Sequence, residues 1–309
     1  MREIAKGSFL ALFGAVCWGV SGCVAQYLFE YEGMDSNWLT PLRLGLAGVV
    51  LFLYYLLRSK KDRQALFAPW RDPRDAIDLV IYGLVGVSGC QFLYFLTIQL
   101  STAGVATILQ NLSPVMVLGV TCLQARRAPR AFEIVSIVLA LVGLFLLTTH
   151  GSLTGLVISP AALVSGLLSG VCVVLYTMWP RRLQSRHSTP VMQCWAFVMG
   201  GAVFGFVFAP WASGYVPSLR GVLGIVFVSL IGNVLAFCCF MQGVKMVGAQ
   251  RANLYTFAEP VTAALLSTLL LGSPFTWIDA VGFACIFAML TLLSLPPRKH
   301  AEQAAAAVK

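Results

Sequence analysis

The stretch Tyr255-Thr256-Phe257-Ala258-Glu259-Pro260-Val261 sets a carboxylate beside a proline within a long apolar run. About 20 mostly apolar residues suffice for a helix to cross a hydrocarbon core, and the run from Gly248 to Leu271 meets that length. Glu259 is the only acidic residue well inside such a run. An ionisable group there costs about 2.5–3.5 kcal/mol on insertion scales, so it usually faces a cavity or a partner and marks function. Pro260 cannot donate a helical hydrogen bond, which predicts an unpaired carbonyl about one turn earlier. Polar backbone at that depth is tolerated only beside protein or water. Asn253, Tyr255 and Thr256 add to the polarity. The competing reading is that Glu259, protonated or hydrogen-bonded, merely joins helices.

Working outward, ten runs reach spanning length. They are Ser8–Leu28, Trp38–Leu57, Ala76–Thr97, Thr102–Leu123, Phe132–Thr148, Pro160–Pro180, Pro190–Ala209, Gly221–Gly243, Gly248–Leu271 and Thr276–Leu295. Ser159-Pro160, Thr189-Pro190 and Ser273-Pro274 put proline at or near a helical first turn. The first run is longer than the core of a signal peptide, which predicts a retained span. Of 309 residues, 59% are hydrophobic and only 11% charged, against about 25% charged in a soluble domain. The solvent of this chain is lipid, and no connecting loop has room for a separate domain.

The net charge of +9 does not point to nucleic acid, because the basic residues fall in short clusters between apolar runs. Nineteen of the 21 Lys and Arg residues fall on one side of the ten-span arrangement; Arg220 is on the other and Arg43 within the second span. The positive-inside rule then places both termini in the cytoplasm. Tyr27, Tyr31, Trp38, Trp211, Tyr215 and Trp277 gather at predicted outer ends, as interfacial belts require. Nine cysteines lie in apolar stretches and three histidines in loops or the tail, so neither a disulfide framework nor a metal site is expected. GxSxG, HExxH and P-loop motifs are absent, so no enzyme activity, no cofactor and no ATP drive are expected.

A shift of 146 residues aligns spans three to five with spans eight to ten without a gap. Gly86 meets Gly232, Ala103 meets Ala249, Ala106 meets Ala252, Pro114 meets Pro260, and Glu133 meets Asp279. Five helices per half is odd, so the halves enter the membrane from opposite sides, the arrangement that gives alternating access around a central site. The expected fold is therefore all-α, with ten transmembrane helices in two inverted five-helix repeats. Residues 1–150 form the first repeat, 151–296 the second, and 297–309 a cytoplasmic tail.

The partner of Glu259-Pro260 is Gln110-Asn111-Leu112-Ser113-Pro114, which keeps the proline and replaces the carboxylate by Ser113. Gln110 and Asn111 are either cavity groups or interhelical hydrogen-bonding glue. Arg43 either snorkels to the nearby interface, pairs with Glu259, or holds a substrate carboxylate. Trp18, Gln91, Tyr94 and Tyr176 are further candidates for a cavity wall. The candidate substrate-binding set is thus Glu259, Tyr255, Gln110, Asn111, Arg43, Trp18, Gln91, Tyr94 and Tyr176, with helix breaks at Pro114 and Pro260.

These features resemble the EamA branch of the drug/metabolite transporter superfamily. The resemblance is carried by Ala15-Val16-Cys17-Trp18-Gly19-Val20-Ser21-Gly22, by Pro41-Leu42-Arg43-Leu44 with Ala47-Gly48, and by the paired Leu112-Ser113-Pro114 and Ala258-Glu259-Pro260. It covers residues 8 to 296 and implies a cavity lined by spans one to four and six to nine, with the fifth and tenth peripheral. It implies a secondary transporter of the bacterial inner membrane that exports an amino acid or similar metabolite, with proton coupling an open option. An importer or exchanger, a passive channel and a non-transporting sensor of the same fold are the alternatives. The expected partners are a small solute and the lipid bilayer, with no nucleic acid, in a monomer or homodimer.

Overall fold

The computed structural model describes residues 2–150, 158–248, 252 and 255–294. Among the described residues eight helices are long and apolar enough to cross a membrane: α1 (Glu3–Glu30), α2 (Ser36–Leu57), α3 (Pro73–Leu100), α4 (Ala103–Gln124), α5 (Ala131–Thr148), α6 (Pro160–Met178), α7 (Thr189–Ala212) and α8 (Leu219–Val247). Two shorter apolar helices complete the set, α9 (Ala258–Leu271) and α10 (Trp277–Leu293). All ten coincide with the predicted runs. The expected ninth span began at Gly248; residues 249–251 and 253–254, Asn253 among them, lie outside the described residues, as does the tail.

Local chemistry sets the helix starts. The Ser159 side chain accepts from the Ala162 N–H with Pro160 in the first turn of α6, and Pro190 takes the second position of α7. The Ser273-Pro274 expectation fails. That dipeptide is in the irregular segment before α10, whose entry is fixed by Thr276 and Asp279 instead. Asp279 Oδ2 accepts from the Thr276 N–H at 2.7 Å, and Glu133 Oε2 accepts from the Arg130 N–H at 2.6 Å. The aligned pair Glu133 and Asp279 thus does the same job at the start of α5 and of α10: a carboxylate satisfies an N–H that the helix cannot.

The main packing pairs are α2 with α7, α4 with α9, α5 with α10, α1 with α8 and α9, and α6 with α3 and α4. Exchanging the first five helices for the last five maps this set onto itself. The α5–α10 pair is held by close backbone approach at glycine. A Cβ added to Gly143 would stand 3.0 Å from the Gly282 carbonyl oxygen, so any side chain there forces the helices apart. α3 and α8 each contain a π-helical segment, Ile81–Ser88 and Leu230–Leu235, which overlap under the 146-residue shift and enclose Gly86 and Gly232. Such segments displace side chains from the regular helical register and are frequent at functional sites.

Candidate functional site

α4 and α9 are interrupted at matched places. α4 runs to Gln110, turns at Asn111 and Leu112, and restarts at Ser113 with Pro114 as its second residue. The chain turns at Thr256 and Phe257 before α9 begins at Ala258, with Glu259 and Pro260 in its first turn. The proline therefore opens a new helix, where its missing N–H is harmless. The expected unpaired carbonyl is corrected here. The Thr256 oxygen, four residues before Pro260, accepts from the Glu259 N–H at 3.0 Å. A tightened turn replaces the lost bond.

Two connected cavities meet at these breaks. The larger, about 1030 Å³, is lined by Asn111, Ser113, Pro114 and Phe257 and reaches the surface beside Arg127 and Arg130. The smaller, about 440 Å³, is lined by Ser21, Arg43, Gln91, Tyr94 and Asn233 and extends to Gln184 and Thr189. Trp18, Gln110, Tyr176, Thr177, Phe240 and Glu259 line both. Among the described residues no basic group lies within 4.0 Å of the Glu259 carboxylate, which is half-buried.

The predicted site residues divide clearly. Glu259, Gln110, Trp18, Tyr176, Asn111, Arg43, Gln91, Tyr94 and Pro114 face these cavities, whereas Tyr255 and Pro260 line neither. Arg43 does not snorkel. It is 4% exposed, donates from Nη1 to Gln91 Oε1 at 2.6 Å and from Nε to the Val228 carbonyl at 3.3 Å, and lies 4.3 Å over the Phe95 ring. With three local partners and a flanking cavity, the guanidinium is held inward rather than drawn to the interface. It does not pair directly with Glu259. Gln110 reaches Cys90 on α3 at 3.0 Å, Asn111 bonds back to the Thr107 carbonyl at 2.8 Å, and the Tyr94 hydroxyl meets Thr107 Oγ1 at 3.0 Å. Trp18 packs at a tilt on Phe240 at 5.0 Å and Tyr176 edge-on against Tyr82 at 6.4 Å, contacts that shape the wall.

Several polar groups escaped the sequence reading. Ser21 and Asn233 line the inner chamber; the only signal for Asn233 was its place beside Gly232 in the repeat. Gln26, fully buried in α1, accepts from the Ala103 N–H at 2.9 Å and from Ser267 Oγ at 2.8 Å, and donates to Ser273 Oγ at 2.8 Å and Glu30 at 2.7 Å. It ties α1 to the starts or ends of α4 and α9 at the end of the molecule opposite Arg127. There Trp38 donates to the Pro210 carbonyl at 3.2 Å and packs edge-on against Tyr215 at 5.2 Å. The Arg127 end instead holds an ion-pair cluster. Arg186 Nη1 lies 2.9 Å from Asp72 and 2.8 Å from Asp75, Arg182 2.8 Å from Asp72, and His187 3.0 Å from Asp75.

The chain matches the EamA-like transporter family over residues 5–149 and 160–295. It is 35% identical over 98% of its length to the whole of a Salmonella typhimurium (strain LT2) protein named "Uncharacterized inner membrane transporter YicL". It is 25% identical, over 90% of this chain and 88% of that protein, to the Escherichia coli (strain K12) "Threonine/homoserine exporter RhtA". A solved structure described as "Crystal structure of protein" superposes with a TM-score of 0.64, covering 93% of this chain and 96% of that one at 17% identity, a likeness of fold. Matched along both five-helix sets, with a membrane-embedded cavity at the paired helix breaks, the chain belongs to the EamA-like transporter family of the drug/metabolite transporter superfamily and is a multi-pass membrane protein that moves a small metabolite.

Proposed function

We propose that this chain is a secondary transporter of the inner membrane that exports an amino acid or similar zwitterion by alternating access. The observation that carries the reading is Glu259, a carboxylate without an ion-pair partner within 4.0 Å among the described residues, facing a cavity at the restart of a broken helix. A buried acid in that position offers a substrate ammonium a counter-charge, or a coupling proton a site. Arg43 lines the inner chamber too, so both signs of charge face the space a zwitterion would occupy.

The halves are residues 1–150 and 151–296, followed by a cytoplasmic tail, and the basic end faces the cytoplasm. In that orientation the larger cavity opens inward and the Gln26 network closes the outer end. The names of the two relatives support both location and direction for those proteins. Flux of an amino-acid panel in inside-out and right-side-out vesicles tests the reading. Saturable, counter-exchanging flux is expected, with Glu259→Gln reducing it at least about tenfold, the scale of one lost charge-assisted contact. Amino-acid flux unchanged in Glu259→Gln sinks the proposed role.

A further inference from the structure

The inner chamber contains more donors than its own residues use. Ser21 Oγ and Asn233 Nδ2 have no hydrogen-bond partner among the described residues, although the two side chains are 1% and 2% exposed. Both line the 440 Å³ chamber together with Arg43. Ser21 and Arg43 are neighbours, and Asn233 lines the same chamber. A Cβ added at Gly232, next to Asn233, would collide with Ser21 Oγ and stand 3.4 Å from Arg43 Nη2. Of the Arg43 donors, Nε and Nη1 are engaged by Val228 and Gln91, and no carboxylate of the described residues lies within 4.0 Å of it.

Leaving a buried donor unmatched costs about 1–3 kcal/mol, so a native chamber that keeps such donors is matched to something that brings acceptors. Asn233 Nδ2 and the guanidinium are donors only, and the Ser21 hydroxyl has a free hydrogen to give. A guanidinium at the same point repels metal cations. One positive charge fits a singly charged anion with two oxygens, and charge-assisted bonds from Arg are the strong ones in a water-poor site.

We propose that Ser21, Arg43 and Asn233 form a carboxylate-binding subsite, resting on the reading that the chamber takes a zwitterionic metabolite whose ammonium faces Glu259. Asn233 lies in the π-helical segment of α8, next to Gly232, and lines the chamber. The subsite has no twin in the other half. The 146-residue shift puts Val87 where Asn233 stands, and Gly86 there packs on Tyr176 rather than on a serine. At this pair of matched positions the halves differ, an amide in one and an apolar side chain in the other, which gives a bound substrate a single orientation.

The test is equilibrium binding to the purified full-length protein in nanodiscs, using L-threonine and L-leucine, their α-amides, and the amine-free acids 3-hydroxybutyrate and isocaproate. Asn233→Asp places a negative charge against the carboxylate. It is expected to weaken the free acids by about ten- to a hundredfold while leaving the amides unchanged, the range for one hydrogen bond to a charged group. Asn233→Leu and Ser21→Ala are expected to weaken the acids by a smaller factor, again with the amides unaffected. They carry the test if the aspartate variant fails to fold. Equal weakening of acids and amides, or acids unaffected in all three variants, overturns the subsite. So does a wild-type protein that binds none of the carboxylate-bearing probes. Binding of the amine-free acids but of neither amino acid, with the same sensitivity to Asn233→Asp, retains the subsite and overturns the amino-acid reading.

Discussion

Gln26 on α1 and Ser267 on α9, 241 residues apart in sequence, share a buried hydrogen bond of 2.8 Å. The same Gln26 oxygen accepts the Ala103 N–H, one of the donors that the start of α4 leaves free. One amide thus gathers α1, α4 and α9 at the end of the molecule opposite Arg127. α4 and α9 are also the helices broken at the cavity that holds Glu259, so the proposed closure and the proposed binding site share the same two elements.

Gln26→Leu removes the acceptor for Ala103 and Ser267. The expected loss of stability is about 1–3 kcal/mol, the cost of buried groups left unpaired. Cys23, buried one turn earlier on α1, reports on the opening. Its labelling by an impermeant maleimide from the outer face is expected to rise in the variant, read by mass spectrometry. Cys23 labelling equal to wild type would show that Gln26 does not hold this end shut.

Glu259→Gln is expected to leave folding nearly intact, within about 1 kcal/mol, because no ion pair within 4.0 Å is lost among the described residues. Thermal unfolding and flux, measured on the same preparation, separate this from a structural role. A collapse of stability with flux retained per folded molecule would make Glu259 a helix-joining group.

Gly143→Val drives a branched side chain into the Gly282 carbonyl and Ile286. Overpacking of this kind is expected to destabilise by about 1–3 kcal/mol. α5 and α10 pack mainly on each other and reach the larger cavity only through Phe132, Glu133, Leu290 and Leu293, so substrate affinity of the folded fraction should change little. Ligand titration monitored by thermal shift checks both.

Asp72, just before α3, is held below the usual carboxylate range by its bond from Arg186 and by the Arg74 N–H. A folded-state value below the unfolded one means that its contribution is present above about pH 4 and fades as pH falls through the lower folded value. The difference in thermal midpoint between wild type and Asp72→Asn is therefore expected to be constant from pH 8 to pH 5 and to shrink only in stronger acid. A difference that changes between pH 8 and pH 5 would assign the effect to another group.

The sequence by itself determined the ten apolar runs, the paired prolines and the isolated Glu259, because hydropathy, helix capping and proline geometry act over a few residues. It also supplied most of the cavity wall, since a polar or aromatic residue inside a span has few other places to go. Only the tertiary structure decided what those residues face. Arg43 reads as an interfacial side chain until α3 and α8 supply Gln91 and the Val228 carbonyl as partners. Gln26 reads as an unremarkable amide until Ala103, Ser267 and Ser273 converge on it. Asn233 reads as an isolated polar residue until helix packing places it on the same chamber as Ser21 and Arg43. In each case the partners lie tens to hundreds of residues away. Their meeting depends on how close the helices approach at glycine and how the π segments rotate the faces, neither of which local sequence encodes.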